Sequence, residues 1–445
     1  MEHQIDFTEG KIVAPLLKFA LPVLVAIFLQ AMYGAVDLLI VGKFAEAADV
    51  SAVSTGSQIM MTLTSLVSSL AMGTTIYLGQ KIGEKKAGEG GEIIGSGIFL
   101  FLVIGIFMTV LVTLFSGQLA GVMHAPEEAF ALTSAYIRIC GAGSLIIIAY
   151  NLIGSIFRGM GDSNTPLITV LIACICNIAG DLLLVAGFGM ETRGAAIATV
   201  FAQLISVVIS FGLIRKKSFP FLFNMSMLRW NGRIITKILT LGIPIAVQDV
   251  LVGISFLVIL AIVNSLGLIA SAGVGVAEKV CTFIMLVPIS FMQAMSAFTA
   301  QNRGAGKFDR ALKGLKYSIG ISLVFAVTMF YLAFFHGDLL AFIFTKDPQV
   351  MEAAAEYLKA YGLDCLLTCF LFCFTGYFTG MECTRFIMIQ GIIGAFLVRV
   401  PVSFLMSRQV PVSLFHIGLA TPCSTVVQIL LCFCYLYHLE HSGKR

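Results

Sequence analysis

The chain has 445 residues, of which 58% are hydrophobic and only 12% are charged, whereas soluble domains carry about 25% charged residues. This composition, with a mean hydropathy of +0.98, excludes an ordinary soluble protein. The formal net charge of +4 is too small to indicate nucleic acid as a partner.

Twelve long apolar stretches, separated by charged or Gly/Pro-rich segments, predict twelve transmembrane helices and an all-α membrane protein. Six are expected in the first half, near residues 14–41, 51–79, 93–116, 131–156, 165–187 and 194–214. Six more are expected near residues 234–265, 271–299, 314–336, 352–379, 386–407 and 412–437. The first stretch is too long for the apolar core of a signal peptide, so we expect it to remain as the first span.

These stretches predict two lobes joined by one linker. We expect an N-terminal six-helix lobe over residues 1–214, a linker over 215–233, a C-terminal six-helix lobe over 234–437 and a tail over 438–445. An even number of spans puts both termini on one side, and twenty of the 28 Lys and Arg residues fall there. Both termini and the linker are therefore predicted to be cytoplasmic. The same count assigns Arg399 to the opposite side.

Residues that recur at a nearly constant offset indicate an internal repeat. The pairs separated by 221 positions include Gln80 and Gln301, Tyr136 and Tyr357, Gly159 and Gly380, and Met160 and Met381; Pro22 and Pro244 are separated by 222. Because each copy holds six helices, the halves are predicted to be parallel repeats around a central cavity, the natural place for a substrate. A duplication kept only for folding is the alternative.

Polar side chains inside the predicted spans are functional candidates, because a charge in lipid costs several kcal/mol unless it faces a cavity or a partner. The first span places Gln30, Tyr33 and Asp37 on one helical face, with i, i+3 and i+7 spacing. The fifth span places Asn177 and Asp181 on one face, with i, i+4 spacing.

The depth of these groups can be worked out from the turns. Asp181 and Thr199 each lie nine residues from Met190, and Asp37 lies five residues from Gly42, at the same outer end. Two carboxylates, the Asn177 amide and a hydroxyl at one depth could hold Na⁺ through hard oxygen ligands. They could also share a proton, because two like charges at close range oppose each other's ionisation. Interhelical hydrogen bonds are the alternative for Asn177 and Thr199.

Four charged residues are predicted to be intramembrane in the second half. Glu278 and Lys279 point about 100° apart on the eighth helix, and each is a candidate for the substrate cavity. Snorkelling of Lys279 to the interface is the alternative. Asp249 and Asp364 could complete a second polar site. Pro22 lies early in the first helix, where its missing N–H permits a bend that could act as a gate or be static.

Motifs for other chemistry are absent from the sequence. There is no GxxxxGK[ST], GxSxG or HExxH pattern, so we expect neither an enzyme nor a resident cofactor. The eleven cysteines lie mostly in apolar runs without CxxC spacing, which favours small buried hydrophobes over a zinc site or disulfides.

Three stretches together resemble the multidrug and toxic compound extrusion (MATE) family. They are Gln30-Ala-Met-Tyr33-Gly-Ala-Val-Asp37-Leu-Leu-Ile-Val-Gly42, Phe157-Arg-Gly-Met-Gly-Asp162 and Asn177-Ile-Ala-Gly-Asp181. The resemblance implies an antiporter that exports organic, often cationic compounds in exchange for Na⁺ or H⁺ by rocking two lobes.

The resemblance also implies roles for individual residues. Asp37, Asn177, Asp181 and Thr199 match the cation site of the family's N-terminal lobe; Gln30, Tyr33, Tyr136 and Asn151 match positions that line this lobe, and Pro22 matches the bend of the first helix. Members with a C-terminal cation site carry acids where this chain has Val252-Gly253 and Leu367-Thr368. Asp249 and Asp364 are displaced from those places, so coupling is expected in the N-terminal lobe.

The predicted function is therefore secondary antiport of organic compounds, with Na⁺ or H⁺ as coupling ion. The alternative is a flippase or exporter of lipid-linked or polysaccharide precursors, which would be expected to have a more cationic cavity. A non-transporting scaffold would leave the buried acids unexplained. We expect a small organic substrate and membrane lipid as partners, a monomer, and a bacterial plasma membrane.

Overall fold

The structure, a computed structural model, describes residues 5–216 and 223–441, and all regular elements in these ranges are helical. The major elements are α1 (Val13–Phe44), α2 (Ala47–Gly83), α3 (Ala87–Leu114), α4 (Glu127–Ala142 and Ser144–Gly159), α5 (Asn164–Asp181 with the π-helical Leu182–Gly187), α6 (Glu191–Lys216), α7 (Gly232–Asn264), α8 (Leu268–Ile284 and Leu286–Gly304), α9 (Phe308–Phe335), α10 (Pro348–Gly380), α11 (Thr384–Ile392, the π-helical Ile393–Arg399 and Val400–Ser407) and α12 (Leu414–Gly418 and Ala420–His441). Each predicted span overlaps one of them. The short helices Ser116–Val122 and Gly337–Phe342 follow α3 and α9.

The described helices are long and apolar enough to account for the predicted spans. Eleven qualify singly, and the bent pair that forms α4 makes up to twelve. The two parts of α4 meet at an angle of 55° around Gly143. A Cβ atom on Gly143 would lie 2.5 Å from Cγ1 of Val200, so the break coincides with a close approach to α6. The predicted all-α fold with twelve transmembrane helices is confirmed.

The internal repeat is visible in the starts of the helices. α2 and α8, α3 and α9, and α4 and α10 begin at residues 47 and 268, 87 and 308, and 127 and 348, each pair 221 positions apart. Equivalent glycines also make equivalent contacts. A Cβ on Gly159 would lie 2.8 Å from the Thr75 carbonyl oxygen, and one on Gly380 would lie 2.7 Å from that of Ser296. Thr75 and Ser296 are themselves 221 positions apart.

The chain divides into two compact units that exchange the beginnings of α1 and α7. The first unit contains residues 1–6 and 21–243, and the second contains residues 7–20 and 244–445. The predicted lobes divide the chain at 214 and 234, whereas the compact units change over inside α1 and α7. Pro22 and Pro244 lie at these changeovers, in helices that remain continuous. Each proline leaves a carbonyl one turn earlier without its helical N–H partner.

Each unit has its own apolar core. In the first unit, Phe101, Phe157 and Ile238 belong to a large cluster of buried apolar residues. In the second, Ile259 and Tyr357 belong to a cluster that joins several helices. Close packing of such side chains supplies van der Waals contacts that hold helices together in lipid.

The segment that precedes α1 is anchored within the second unit. The Phe7 ring is fully buried, with its centroid 5.5 Å from those of Phe19 and Phe298. The Phe7 N–H donates to Gln301 Oε1 at 3.3 Å, and Asn302 Nδ2 donates to the Phe7 carbonyl at 3.1 Å. The chain therefore enters the membrane from a fixed position.

Candidate functional site

The predicted cation-binding residues come together inside the first unit. Asp37 lies on α1, Asn177 and Asp181 lie near the end of α5, and Thr199 lies on α6. Asp37, Asn177 and Asp181 are 5%, 1% and 0% exposed, and Thr199 is partly buried. The four residues placed at one depth from the sequence therefore form one cluster.

Thr199 links the members of this cluster. Its Oγ1 lies 3.5 Å from Asp37 Oδ2 and accepts from Asn177 Nδ2 at 3.5 Å. The same oxygen lies 3.0 Å from the Ala195 carbonyl, one turn earlier on α6. Because one hydroxyl donates one hydrogen bond, the shorter bond to Ala195 leaves Asp37 with little help from Thr199.

The cluster has more acceptors than donors. The carboxyl groups of Asp37 and Asp181 interact directly. Asp37 Oδ1, Asn177 Oδ1 and both Asp181 side-chain oxygens are buried without a donor among the described residues. A buried acceptor without a donor costs about 1–3 kcal/mol, and more when it is charged. This arrangement suits a bound proton or a small hard cation, either of which would supply the missing positive charge.

Tyr136 also reaches the cluster. Its buried side chain interacts with Thr199 and lies one turn before Cys140 on the same helix. Gly56 on α2 makes room for the ring, since a Cβ atom there would lie 2.5 Å from Tyr136 Cδ1. Packing of Tyr136 against α2 therefore helps to fix the position of Thr199.

Gln30 and Tyr33 belong to a second polar group on α1. Gln30 Nε2 donates to the Tyr150 hydroxyl at 3.4 Å, and the Tyr33 hydroxyl interacts with Gln203. Gln203 follows Thr199 by one turn on α6, so an i, i+4 reading of that helix would have found it. Tyr150, in contrast, lies in an apolar run that carries no such signal.

Asn151 makes local bonds in α4. Its Nδ2 donates to the Ile147 carbonyl at 2.8 Å, and its Oδ1 accepts from Ser68 Oγ at 2.9 Å. Asn151 therefore ties α4 to α2. Its place in the substrate cavity stays a prediction.

The predicted residues of the second half do not form one site. Glu278 is partly buried and Lys279 is exposed on α8, and no ion pair joins them among the described residues. Asp249 is exposed on α7, whereas Asp364 is 3% exposed on α10. A role of Glu278 and Lys279 in substrate binding stays a prediction.

Asp364 has a charged neighbour that the sequence analysis placed wrongly. Arg399 was assigned to the outer ends of the spans, but it is 5% exposed at the end of the π-helical segment of α11. Its Nη1 donates to Ser255 Oγ at 3.1 Å, and its guanidinium lies 4.3 Å from the Phe256 ring centroid. Arg399 also interacts electrostatically with Asp364, whose Oδ2 accepts from Thr368 at 3.0 Å.

π-Helical turns occur next to the cluster around Asp37 and Asp181 and next to Asp364 and Arg399 of the second unit. Leu182–Gly187 follows directly after Asp181, and Ile393–Arg399 ends at Arg399. Such turns shift the helical register and are frequent at functional positions. They aim a polar side chain where a regular α-helix would direct a different residue.

Comparison with known proteins gives matches along the whole chain. The family model MatE matches twice, over residues 22–183 and 244–405. Probable multidrug resistance protein YoeA of Bacillus subtilis (strain 168) is 24% identical over 424 residues, 94% of this chain and 92% of that protein. Multidrug export protein MepA of Staphylococcus aureus (strain MSSA476) is 24% identical over 363 residues, 81% of this chain and 80% of that protein.

A solved structure has the same fold. It is described as the outward-facing conformation of a multidrug resistance MATE family transporter of the MOP superfamily. The TM-score is 0.91 at 18% sequence identity, and the match covers 99% of this chain and 98% of the other.

Proposed function

The chain belongs to the MatE family of multidrug efflux transporters, and from this we propose that it is a secondary antiporter that couples export of organic compounds to entry of Na⁺ or H⁺. The exported compounds are drug-like and often cationic, and exchange follows alternating access. We further propose a bacterial plasma membrane as its location, with both termini in the cytoplasm.

The observation that supports this proposal most strongly is the donor-poor cluster around Asp37 and Asp181. Two buried carboxyl groups that interact with each other, with no described donor to several of their oxygens, require positive charge to be stable together. A proton shared by the pair would supply it. Na⁺ would supply it through the carboxylates and the oxygens of Asn177 and Thr199.

Cation binding at this cluster would act on α1. A cation adds attraction between Asp37 on α1 and Asp181 on α5, and its release restores repulsion between the carboxylates. α1 also contributes residues 13–20 to the second unit, and Pro22 lies just after that part. A change at Asp37 can therefore be passed along a single helix to the other unit. Coupling of cation and substrate is then reciprocal.

The test is efflux of a fluorescent organic cation from proteoliposomes with an imposed Na⁺ gradient or an imposed pH gradient. Wild type should respond to one of the two gradients, and Asp37→Asn should lose at least 10-fold in rate. The matched control is Asp338→Asn, which changes an exposed aspartate in the short helix Gly337–Phe342. This control should transport like wild type.

Full activity of Asp37→Asn would refute the coupling role of the cluster. Absence of flux with either gradient, in protein shown to be folded, would instead favour the flippase alternative. Translocation of a lipid-linked precursor would then be measured in the same vesicles.

A further inference from the structure

A cleft lies at the end of the second unit where α1 and α9 begin. Its volume is about 1010 Å³, and residues 10–14, Leu17, residues 306–310, Lys313 and Tyr317 line it. A volume of this size accommodates a large organic ligand. The cleft is separate from the cluster around Asp37 and Asp181, whose residues all belong to the first unit.

The walls of the cleft are held in place by hydrogen bonds to the backbone. Arg310 donates from Nε to the Phe7 carbonyl at 2.9 Å, from Nη1 to that of Gly10 at 2.8 Å and from Nη2 to that of Glu9 at 2.7 Å. Lys307 Nζ donates to the Thr8 carbonyl at 2.8 Å. The cleft therefore exists before any ligand binds, which lowers the entropic cost of binding.

The charge of the lining is strongly one-sided. The basic side chains in it are Lys11, Lys307, Arg310 and Lys313, and the acidic one is Asp309. Arg310 and Lys307 already donate hydrogen bonds to backbone carbonyls. Lys11 and Lys313 are exposed, and no ion pair involves them in the described part of the chain. Two ammonium groups are therefore available to an anionic ligand.

The rest of the lining is largely apolar and comes from the first turns of two predicted spans. Ile12, Val13 and Leu17 contribute from the start of α1, and Phe308 contributes from the start of α9. Tyr317 is 50% exposed about two turns into α9, a depth typical of interfacial aromatic residues. A ligand here would have an anionic head near the lysines and an apolar part beside the first turns of the helices.

We propose that this cleft binds an anionic phospholipid of the leaflet on the side of the termini. The phosphate lies between Lys11 and Lys313, and the upper part of an acyl chain lies along Val13, Leu17 and Tyr317. Basic pockets between transmembrane helices bind anionic headgroups in this way. The proposal is independent of the transported compound and of the coupling ion.

The experiment compares two matched double variants in the full-length protein. Lys11→Gln/Lys313→Gln removes the two free charges of the cleft. Lys18→Gln/Lys316→Gln removes one exposed charge from α1 and one from α9, at positions that do not line the cleft. Retention of phosphatidylglycerol and of phosphatidylcholine is measured by native mass spectrometry, together with the thermal stability in each lipid. Glycerol 3-phosphate serves as a headgroup without acyl chains.

Wild type and the Lys18/Lys316 variant should retain phosphatidylglycerol in preference to phosphatidylcholine. The Lys11/Lys313 variant should bind phosphatidylglycerol about 30-fold more weakly, which corresponds to about 5-fold for each lysine near a membrane surface. Lys11→Arg/Lys313→Arg should keep the preference, which shows that charge is needed at these positions. Glycerol 3-phosphate should not compete, because it cannot occupy the apolar part.

Three results would overturn the proposal. The first is equal retention of the two lipids by wild type. The second is an equal loss in both double variants, which would indicate general attraction to the basic surface. The third is competition by glycerol 3-phosphate at the same site, which would mean that a free phosphate ester is the ligand.

Discussion

The close packing of Tyr136 against Gly56 leads to a prediction about the proposed ligand Thr199. In Gly56→Ala, the new Cβ would lie 2.5 Å from Tyr136 Cδ1 and 3.0 Å from Cγ. Carbon atoms pack at about 3.5–4.0 Å, so the ring or the helix must move by about 1 Å. Because Tyr136 interacts with Thr199, this movement also disturbs a proposed ligand.

The expected change in the free energy of unfolding follows from two opposing terms, and Gly34 serves as the control position. Overpacking a tight interior costs about 1–3 kcal/mol, while Gly→Ala within a helix contributes about 0.5–1 kcal/mol of stability. Gly56→Ala should therefore be destabilised by a net amount of about 0.5–2 kcal/mol. Gly34→Ala on α1 should be stabilised, because a Cβ atom there would meet nothing within 4 Å.

The assay is thermal unfolding of purified protein over a series of Na⁺ concentrations and pH values. Gly56→Ala should lower the midpoint and weaken whichever cation dependence wild type has, whereas Gly34→Ala should keep that dependence. If Gly56→Ala matches Gly34→Ala in both stability and cation dependence, the packing of Tyr136 does not support the site.

Two further predictions concern the second unit. Arg399→Met should lower stability by about 1–3 kcal/mol because it removes the hydrogen bond to Ser255 Oγ and the positive charge near the buried Asp364, and Arg399→Met/Asp364→Asn should recover part of the loss. A single variant as stable as wild type in chemical or thermal unfolding would show that Asp364 does not depend on Arg399. Arg310→Gln should loosen the segment before α1, because the carbonyls of Phe7, Glu9, Gly10 and Lys11 each lose a hydrogen bond from Arg310. Hydrogen exchange at residues 8–11 should become at least 10-fold faster, and unchanged exchange would mean that the contacts of Phe7 and Thr8 hold the segment without Arg310.

The sequence was sufficient to predict the fold because the strongest signal in a membrane protein is the length of its apolar stretches. It did not predict the break of α4 at Gly143, since that break comes with close packing against Val200 on another helix. The π-helical turns were also missed. They change the register over a few residues and leave the mean hydropathy of a span unaltered.

The cluster around Asp37 and Asp181 was predictable as a group because its members are polar exceptions in apolar helices and can be placed at one depth by counting from the turns. The residues around the cluster were harder to predict from the sequence. Tyr136 was found only through the family resemblance, and Gln203 was overlooked although it shares a helical face with Thr199. Arg399 was misplaced because hydropathy does not distinguish an arginine that snorkels to the surface from one packed over Phe256.

The exchange of the beginnings of α1 and α7 has a consequence for biosynthesis and for the origin of the duplication. Residues 7–20 are synthesised long before the rest of the second unit, which begins at residue 244. The first unit likewise lacks a part until residue 243 has been made. Half-transporters produced as separate polypeptides would thus each present an incomplete core, and an ancestral single repeat would have needed a second copy to supply the missing segment. Fusion of two such copies into one gene turns this mutual dependence into an intramolecular one, and it ties the maturation of each half to completion of the whole chain.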